Sequence, residues 1–358
     1  MNKSTVRNLL IVLFALVAIM VGLELSDAPE TAASGALYPD FRNKINEVQS
    51  IVVDSPGGES VHVAIDDGIW TVAEKGGYPA SVAKIREVLL AIADAQILEQ
   101  KTANPERYAS LGVRDPEVAD SAGRRITLSG AGVEFALIVG NQNQTTNRYV
   151  RIAGDAQSLL VDADPNLPDT ASGWLRTDLL DIDGGEVRSV EIRHADDETI
   201  RLSKTTADDA NFVVADIPEG RELSYSTVAN GIGSALADLA LEDVRRSAEG
   251  DVLSTTTYDT FDGRRIALSA VRDGETTWIA IQAGYDAARA STDAVAEDTD
   301  AEDGEMAVDE EVSSDPSEEI AALVARTSGW QFTLPEFKKN QLTRRWEDIL
   351  QAEDDAEE

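Results

Sequence analysis

Apolar and polar residues alternate in two parts of the chain, and each part is followed by apolar residues at helical spacing. In the first part, residues 50–65 alternate around the turn Pro56-Gly57-Gly58, and the apolar run 69–72 follows. This pattern is typical of a β-hairpin and a third strand. Ser81 then precedes a segment with a period near 3.6, which predicts an N-capped amphipathic helix with an apolar face of Ile85, Val88, Leu89 and Ile92.

The second part repeats this order. Strands are predicted over 189–192 and 199–203, Phe212-Val213-Val214 replaces the third strand, and Ser226 is expected to begin a helix. The apolar residues of that helix have the same spacing as those of the first: Ile232, Ala235, Leu236 and Leu239. We therefore predict an α+β fold, a tandem repeat of two similar units, each a mostly antiparallel sheet covered by one amphipathic helix.

Short sequence matches support the repeat. Residues 48–51 (VQSI) return 139 positions later as 187–190 (VRSV), and residues 123–129 (GRRITLS) return 140 positions later as 263–269 (GRRIALS). Matches in the same order at nearly one offset indicate duplication of a whole folding unit. The second match also predicts an equivalent strand pair in each unit, 125–129 with 135–139 and 265–270 with 277–281.

The chain begins with the features of a membrane signal. Lys3 and Arg7 precede an uncharged apolar run over 9–23, and acidic residues follow it, as expected when the N-terminus stays in the cytoplasm. The run of 15 residues is shorter than the ~20 of a comfortable span, so an anchor and a cleaved signal both fit. We favour an uncleaved anchor because Glu24-Leu25-Ser26-Asp27 lacks the small residues of a cleavage site.

These patterns predict the organisation of the chain. We expect a single-pass protein of the bacterial inner membrane, with the bulk of the chain periplasmic or otherwise extracytoplasmic. The predicted segments are a cytoplasmic N-terminus (1–8), a transmembrane helix as anchor (9–25), a linker (26–44), a first α+β unit (45–183) and a second α+β unit (184–358), the last interrupted by a disordered acidic insertion (284–319).

Charge and cysteine content narrow the classes of partner and site. With 66 acidic against 31 basic residues the net charge is −35, which disfavours nucleic acid and anionic membrane surfaces because both repel such a field. Residues 286–319 hold 14 acidic residues against Arg289 alone and lack periodicity, so this tract is expected to be disordered. Cysteine is absent, which excludes disulfides, thiolate metal sites and cysteine nucleophiles.

Two arginine pairs are candidate contacts for an anion or a protein partner. Arg124-Arg125 and Arg264-Arg265 each follow a glycine at the start of a predicted strand, in a chain that is poor in positive charge. The alternative is a strand entry whose arginines pair with the many surrounding carboxylates. We favour this alternative because neighbouring residues of a strand point to opposite faces of the sheet.

No pattern predicts a catalytic, cofactor or metal site. The two histidines, His62 and His194, fall on different strands, lack a second ligand at metal-binding spacing and are expected to be exposed. Carboxylate pairs such as Asp66-Asp67 and Asp196-Asp197 could serve a hydrolase, but 66 acidic residues produce such pairs by chance. Gly231-Ile232-Gly233 falls inside a predicted helix, where close packing explains it better than a dinucleotide fingerprint.

Motifs spread along the chain from about residue 48 carry a family resemblance: Trp70-Thr71-Val72, Tyr78-Pro79-Ala80, Asn104-Pro105 with Tyr108, Leu111-Gly112 and Pro116, and the ending from Trp330 to Leu350. The chain resembles the domain-of-unknown-function family 4340. The resemblance implies an extracytoplasmic bacterial protein, frequently encoded with exporter-type ABC transporter components and the gliding-associated auxiliary transport protein. It carries over no catalytic residues, and the acidic tract departs from the family pattern.

The resemblance implies a non-enzymatic accessory or scaffold subunit of an export-type ABC transporter or cell-envelope complex. Such a subunit would bind the membrane through its N-terminal helix and a permease or auxiliary subunit through its folded units, and exposed sheet edges would suit strand-addition contacts. Two other classes stay open. One is a membrane-tethered envelope hydrolase that uses carboxylates, and the other is a lipid or small-molecule carrier, which would need an apolar cavity beneath one helix.

Overall fold

The computed structural model describes residues 35–143, 146–290 and 315–352. The predicted cytoplasmic N-terminus, the predicted anchor over 9–25 and the first part of the predicted linker lie outside these residues. Within the described part of the chain, no helix has the length and apolar character needed to cross a membrane.

The chain divides into two compact units, residues 1–174 and 175–358. The boundary falls before the predicted one at residue 183, because residues 178–180 form a strand that pairs within the second unit.

Every strand pair of the two large sheets is antiparallel. Across the described residues, the fold is therefore mixed α+β, with two large antiparallel sheets and few helices.

The first unit is built on a nine-stranded sheet. Its elements are β1 (Val48–Asp54), β2 (Ser60–Asp66), β3 (Ile69–Val72), β4 (Tyr78–Pro79), α1 (Val82–Asp94), β5 (Ile97–Gln100), α2 (Tyr108–Leu111), β6 (Arg124–Gly130), β7 (Val133–Gln142), β8 (Arg148–Ile152) and β9 (Ser158–Val161). The strands follow the order β4-β3-β2-β1-β6-β7-β8-β9-β5. The first hairpin therefore lies in one half of the sheet, and β5 lies at the far edge.

Helix α1 is the predicted amphipathic helix of this unit. The Ser81 hydroxyl accepts a hydrogen bond from the backbone N–H of Lys84 (3.2 Å), which satisfies one of the free amides of the first turn. The predicted apolar face is buried, namely Ile85, Val88, Leu89 and Ile92, and Ala93 is buried beside it. Because burying an aliphatic side chain of this size contributes about 1.5–3 kcal/mol, this face fixes the helix in the core.

The second half of the predicted linker is folded. Leu37 and Phe41 are buried, and Phe41 begins a 3-10 turn. The ring of Tyr38 stacks on the ring of Phe135 in β7, with 4.3 Å between the ring centroids. These side chains anchor the start of the first unit in its core, so the prediction of a linker over 26–44 is wrong in its second half.

The second unit is built on an eight-stranded sheet and a two-stranded one. Its elements are β10 (Asp178–Leu180), β11 (Val187–His194), β12 (Thr199–Ser203), β13 (Val213–Ala215), α3 (Asn230–Gly233), β14 (Leu239–Ala240), β15 (Asp243–Arg246), β16 (Asp251–Thr260), β17 (Arg264–Asp273), β18 (Thr276–Tyr285), α4 (Pro316–Thr327), β19 (Trp330–Thr333), α5 (Glu336–Leu342) and α6 (Trp346–Ile349). The large sheet has the order β13-β12-β11-β16-β17-β18-β19-β15, and β10 pairs with β14.

The two large sheets share one strand order. The series β3-β2-β1-β6-β7-β8-β9-β5 corresponds strand by strand to β13-β12-β11-β16-β17-β18-β19-β15. The registers also correspond, because Leu128 of β6 lies opposite Ile51 of β1, and Tyr258 of β16 lies opposite Val190 of β11. The counterpart of β6 is therefore β16, and the first unit has β4 in addition.

This equivalence corrects the prediction drawn from the second sequence match. Residues 123–129 include most of β6, whereas residues 263–269 include the first part of β17. The counterpart of β17 in the first unit is β7. The predicted pair 265–270 with 277–281 is β17 with β18, which corresponds to β7 with β8. The two arginine pairs thus occupy different strands of the shared architecture, and of the two sequence matches only the first joins equivalent strands.

The apolar pattern does not predict β16, because the buried side of this strand is polar. Its buried residues are Ser254, Thr256, Tyr258 and Thr260. The hydroxyl of Thr256 donates to the backbone carbonyl of Leu342, and the hydroxyl of Tyr258 donates to the carbonyl of Ile232 (3.0 Å). Burial raises the pKa of Tyr258, so its hydroxyl keeps its proton. Hydrogen bonds of this kind allow polar side chains inside a core.

The prediction of a helix from Ser226 is wrong. The chain forms only the four-residue helix α3, which turns follow. Gly231 and Gly233, together with the left-handed backbone of Asp238 (φ 48°), oppose a longer helix. The predicted core positions are nevertheless buried: Ile232, Ala235, Leu236 and Leu239.

Both ends of the predicted disordered insertion are folded. β18 extends to Tyr285, a 3-10 turn covers 287–289, and α4 begins at Pro316, where proline and the acidic residues after it favour a helix start. Ile320 and Leu323 of α4 are buried. Since β18 and β19 pair in one sheet, the segment between them is a long connection within that sheet, where the first unit has the short turn from β8 to β9.

Gly233→Ala should destabilise the second unit. A Cβ at this position would lie 2.0 Å from the ring of buried Phe212, and overpacking of this kind costs about 1–3 kcal/mol. Gly231→Ala is the matched control in the same helix, because its Cβ would meet only Gln341 Nε2, at 3.5 Å. Urea unfolding compares the two, and equal stability would contradict the close packing of α3 on Phe212.

Candidate functional site

Arg124 links β6 to the loop that follows β9. Its guanidinium donates to the backbone carbonyls of Leu167 (2.8 Å) and Pro168, and to the carboxylate of Asp169 (3.1 Å). Its Nε donates to the Ser55 hydroxyl (3.3 Å). Burial lowers the pKa of Arg124. This arginine therefore serves as an internal crosslink of the first unit.

Arg125 is the next residue on β6 and points to the other face of the sheet. Its guanidinium donates to Asp54 of β1 (2.7 Å) and to Glu117. The bond with Glu117 and the pair with Asp54 raise the pKa of Arg125 against the effect of burial. Burial alone would raise the pKa of Asp54, but hydrogen bonds from Ser60 and Arg125 hold it below its usual value.

Arg264 and Arg265 of β17 also contact acids of their own unit. Arg264 is buried and pairs with Glu186, Asp262 (2.8 Å) and Glu319 (3.2 Å). Burial lowers the pKa of Arg264, yet the pairs with Asp262 and Glu186 leave it raised overall. Arg265 is exposed, and its closest carboxylate is Asp259 at 3.7 Å. In each unit the two arginines face different partners, so neither pair forms a joint site.

The two histidines lie in different environments. His62 is exposed on β2, and its Nδ1 lies 2.6 Å from Oε1 of Glu74. Burial opposes ionisation of Glu74, but hydrogen bonds from His62 hold its pKa below the usual value. His194, expected to be exposed, is buried at the end of β11. Its Nε2 lies 3.0 Å from the backbone carbonyl of Arg344, because the chain after α5 covers this end of the strand.

A polar cleft of about 570 Å³ lies beside His194 in the second unit. It is formed by the ends of β11 and β17, the start of β16, the β17–β18 hairpin and α5. Its lining includes His194, Ser254, Arg272, Glu275, Lys339 and Arg345. A cleft of this size accommodates a small molecule, so it is the candidate binding site.

The cleft adjoins the position of the second unit that corresponds to Arg124 of the first. His194 and Ser254 are paired neighbours on β11 and β16, and the shared register makes Ser55 and Arg124 their counterparts. In the first unit the long guanidinium reaches across to the loop after β9. In the second unit the short Ser254 takes the place of Arg124, and this buried residue belongs to the lining of the cleft. Sequence patterns do not reveal the site, because they do not predict β16.

Two of the three cations around the cleft are paired. Arg345 donates to Asp196 (2.9 Å) and Glu198 (2.6 Å), and the bond with Asp196 is the largest cause of its raised pKa. The Nζ of Lys339 lies 2.7 Å from the carboxylate of Glu336, one turn earlier in α5. These pairs fix the positions of both cations at the cleft wall.

The edges of the two sheets differ next to the first hairpin. In the first unit β4 pairs with Thr71 and Val72 of β3 and covers that strand. The counterpart of β3 in the second unit is β13, which is the last strand of its sheet. Val213 of β13 is 70% exposed, and Ile217 just after it is also exposed. The second unit therefore presents an open, apolar sheet edge.

The carboxylate pairs that could serve a hydrolase and the crevice that could serve a carrier lie outside the polar cleft or at its rim. Asp67 and Asp197 of the carboxylate pairs occupy hairpin turns with left-handed backbone (φ 47° and 68°). In the described ranges, no cluster of three or more His, Asp or Glu side chains could hold a metal ion. A crevice of about 280 Å³ lies beside α4, and the ion pair between Arg264 and Glu319 lies in its lining.

These features define a protein of two antiparallel α+β units whose charged side chains largely pair within each unit. A family profile described as Domain of unknown function (DUF4340) matches residues 70–260, more than half of the chain, and the chain belongs to this family. The match runs from β3 to the end of β16 and so includes parts of both units, whereas the ending from Trp330 lies outside it. Neither the curated proteins nor the solved structures give a match.

Arg124→Met should destabilise the first unit by about 1–3 kcal/mol, because it leaves the carbonyls of Leu167 and Pro168 without their donor. Methionine retains the aliphatic part of the side chain. Arg176→Met is the control, since Arg176 is exposed and, among the described residues, its one ion pair is with nearby Asp178. Urea unfolding of the full chain should show an effect for Arg124→Met alone, and an equal effect of both variants would contradict the crosslink.

Proposed function

We propose that this protein is a non-enzymatic, extracytoplasmic accessory or scaffold subunit of an export-type ABC transporter or cell-envelope complex. The N-terminal apolar segment, 9–25, would anchor it in the bacterial inner membrane with its N-terminus in the cytoplasm. The two units, related by duplication, would form its periplasmic part. The main support for action by binding is the open edge strand β13.

An open edge strand offers hydrogen bonds to another extended chain. β13 ends its sheet, Val213 and Ala215 are exposed, and the strand contains no charged residue and no proline. Edge strands of soluble proteins commonly carry such residues because they prevent unwanted pairing. An edge without them suits the addition of a strand from a protein partner.

The first unit supports the geometry of such an addition. There the chain's own Tyr78–Pro79 segment, β4, pairs antiparallel with β3, the counterpart of β13. The side chain of Tyr78 is fully buried, so β4 adds apolar contacts to its backbone hydrogen bonds. We expect the partner to supply a short extended segment with an apolar side chain in the corresponding place on β13.

Charge and tethering restrict the partner. The net charge of −35 repels nucleic acid and anionic surfaces, so a protein partner is favoured. A membrane anchor would confine the search for that partner to the same membrane. Together with the family resemblance, this favours a transporter permease or an auxiliary subunit.

A pull-down from the native membrane tests the proposal. The full-length protein is isolated in mild detergent, and the proteins that co-purify are identified by mass spectrometry, for the natural chain and for the double variant Val213→Lys, Ala215→Lys. Lysine on an exposed edge opposes strand addition and leaves the core unchanged. We expect a permease or auxiliary subunit with the natural chain, and roughly tenfold less of it with the double variant.

Val82→Lys is the matched control, because Val82 is 57% exposed at the start of α1 in the first unit. This variant should retain the partner at the level of the natural chain. Recovery of the natural protein alone would contradict the accessory-subunit proposal. A partner retained equally by the double variant would contradict the role of β13.

A further inference from the structure

The polar cleft of the second unit points to a second binding activity. We propose that the cleft binds a small ligand that carries a carboxylate or phosphate group and several hydroxyl groups, with the chemistry of an acidic or phosphorylated monosaccharide. This activity goes beyond the protein partner at β13, because it rests on the opposite end of β11 and on β16, β17 and α5.

Arg272 supplies the charge that recognises the ligand. It lies near the end of β17 and is exposed at the cleft, and its guanidinium has no hydrogen-bond or ion-pair partner among the described residues. The other two cations, Lys339 and Arg345, are held by carboxylates. A guanidinium binds a carboxylate or phosphate through two parallel N–H bonds, so Arg272 is a ready anion contact.

The hydroxyl of Ser254 is an independent observation that points to a ligand. Ser254 is buried, it lines the cleft, and its Oγ makes no hydrogen bond in the structure. Buried polar groups are normally paired, so this hydroxyl, which solvent does not reach in the structure, keeps bonding capacity for a ligand group that enters beside it. Arg124, the counterpart of Ser254 in the first unit, is already bonded, because its guanidinium donates to Ser55 and to the loop after β9.

The remaining wall suits a ligand with several hydroxyl groups. Thr276 and Thr277 contribute hydroxyls and Asn340 contributes an amide, and these groups can both donate and accept hydrogen bonds, as a sugar requires. The Thr343 hydroxyl donates to the carbonyl of Lys339 (2.9 Å) and can accept from a ligand. At about 570 Å³ the cleft has room for a monosaccharide and its anionic substituent.

The lining of the cleft holds three cations and three carboxylates, so its preference for an anion rests on Arg272. Two of these carboxylates, Asp196 and Glu336, pair with cations, and Arg345 is shared between Asp196 and Glu198. The groups that remain are Arg272 and the exposed Glu275 of the β17–β18 hairpin. Glu275 can accept hydrogen bonds from ligand hydroxyls, whereas Arg272 needs an anionic group. A neutral sugar would donate hydrogen bonds to Glu275 but would offer no anionic group to Arg272.

Isothermal titration calorimetry on the full-length protein in mild detergent tests the proposal with four sugars of similar size. Glucuronate carries a carboxylate, glucose 6-phosphate carries a phosphate, glucose is neutral and glucosamine carries a positive charge. We expect heat of binding for glucuronate, for glucose 6-phosphate or for both, and none for glucose or glucosamine. The comparison of the two anions identifies which group the ligand carries.

Two variants and a control locate the binding. Arg272→Gln should weaken binding of the anion at least about tenfold, since it removes a charge-assisted contact. Ser254→Arg should abolish binding by filling the cleft as Arg124 fills the first unit. Arg265→Gln, an exposed arginine of the same strand outside the cleft, should retain full affinity.

Three results would overturn the proposal: no binding of either anion, tighter binding of glucosamine than of the anions, or unchanged affinity in Arg272→Gln. Because Arg272 is exposed, its variant is expected to fold and the result remains decisive even if Ser254→Arg does not fold. The membrane pull-down does not depend on Arg272, so failure of the cleft proposal and failure of the partner proposal are distinguishable.

Discussion

The fold of each unit depends on one long-range strand pairing. The first strand of the unit pairs on one side with the next strand of the chain and on the other side with a much later strand, β6 in the first unit and β16 in the second. The strand that follows the helix, β5 or β15, lies at the opposite edge of the sheet. The chain must therefore cross the sheet between these strands, and the crossing segment brings buried apolar side chains, those of α1 in the first unit and of α3 and its flanking turns in the second.

The shared register makes differences between the two units interpretable residue by residue. Where the first unit has Arg124 bound to the loop after β9, the second has Ser254 and a polar cleft. Where the first unit covers β3 with β4, the second leaves β13 at the edge. In both places the first unit supplies a hydrogen-bonding partner from its own chain, whereas the second unit supplies none among the described residues. The account therefore assigns binding chiefly to the second unit.

Local patterns predicted the elements whose buried side is apolar. The first hairpin and α1 follow from alternation, from helical spacing and from the Ser81 cap, because burial of the apolar face decides their structure. β16 could not be predicted in this way, since its inward side chains are hydroxyls that find partners only in the folded unit, Thr256 with Leu342 and Tyr258 with Ile232. Helix α3 shows the reverse case: apolar spacing predicts burial correctly, but two glycines and a left-handed aspartate prevent a long helix.

The repeated Gly-Arg-Arg segment shows why a sequence match alone does not establish strand equivalence. A glycine fits the entry of many strands: Gly123 ends the long connection from β5 to β6, whereas Gly263 lies in the hairpin turn between β16 and β17. The cleft depends on the correct equivalence, because only the pairing of β11 with β16 places Ser254 beside His194. Neither residue belongs to a motif, so the site follows from topology and could not be found from spacing.

Engineered disulfides measure this shared strand order most directly, because the natural chain has no cysteine. Glu191 of β11 lies opposite Thr257 of β16, whereas the repeat inferred from the sequence would place Ala267 opposite Glu191. Adjacent strands are about 4.8 Å apart, and strands separated by a third are about twice as far, beyond the reach of a disulfide. The account predicts that Glu191→Cys, Thr257→Cys forms a disulfide on mild oxidation and that Glu191→Cys, Ala267→Cys does not. A disulfide in the second variant and none in the first would contradict it.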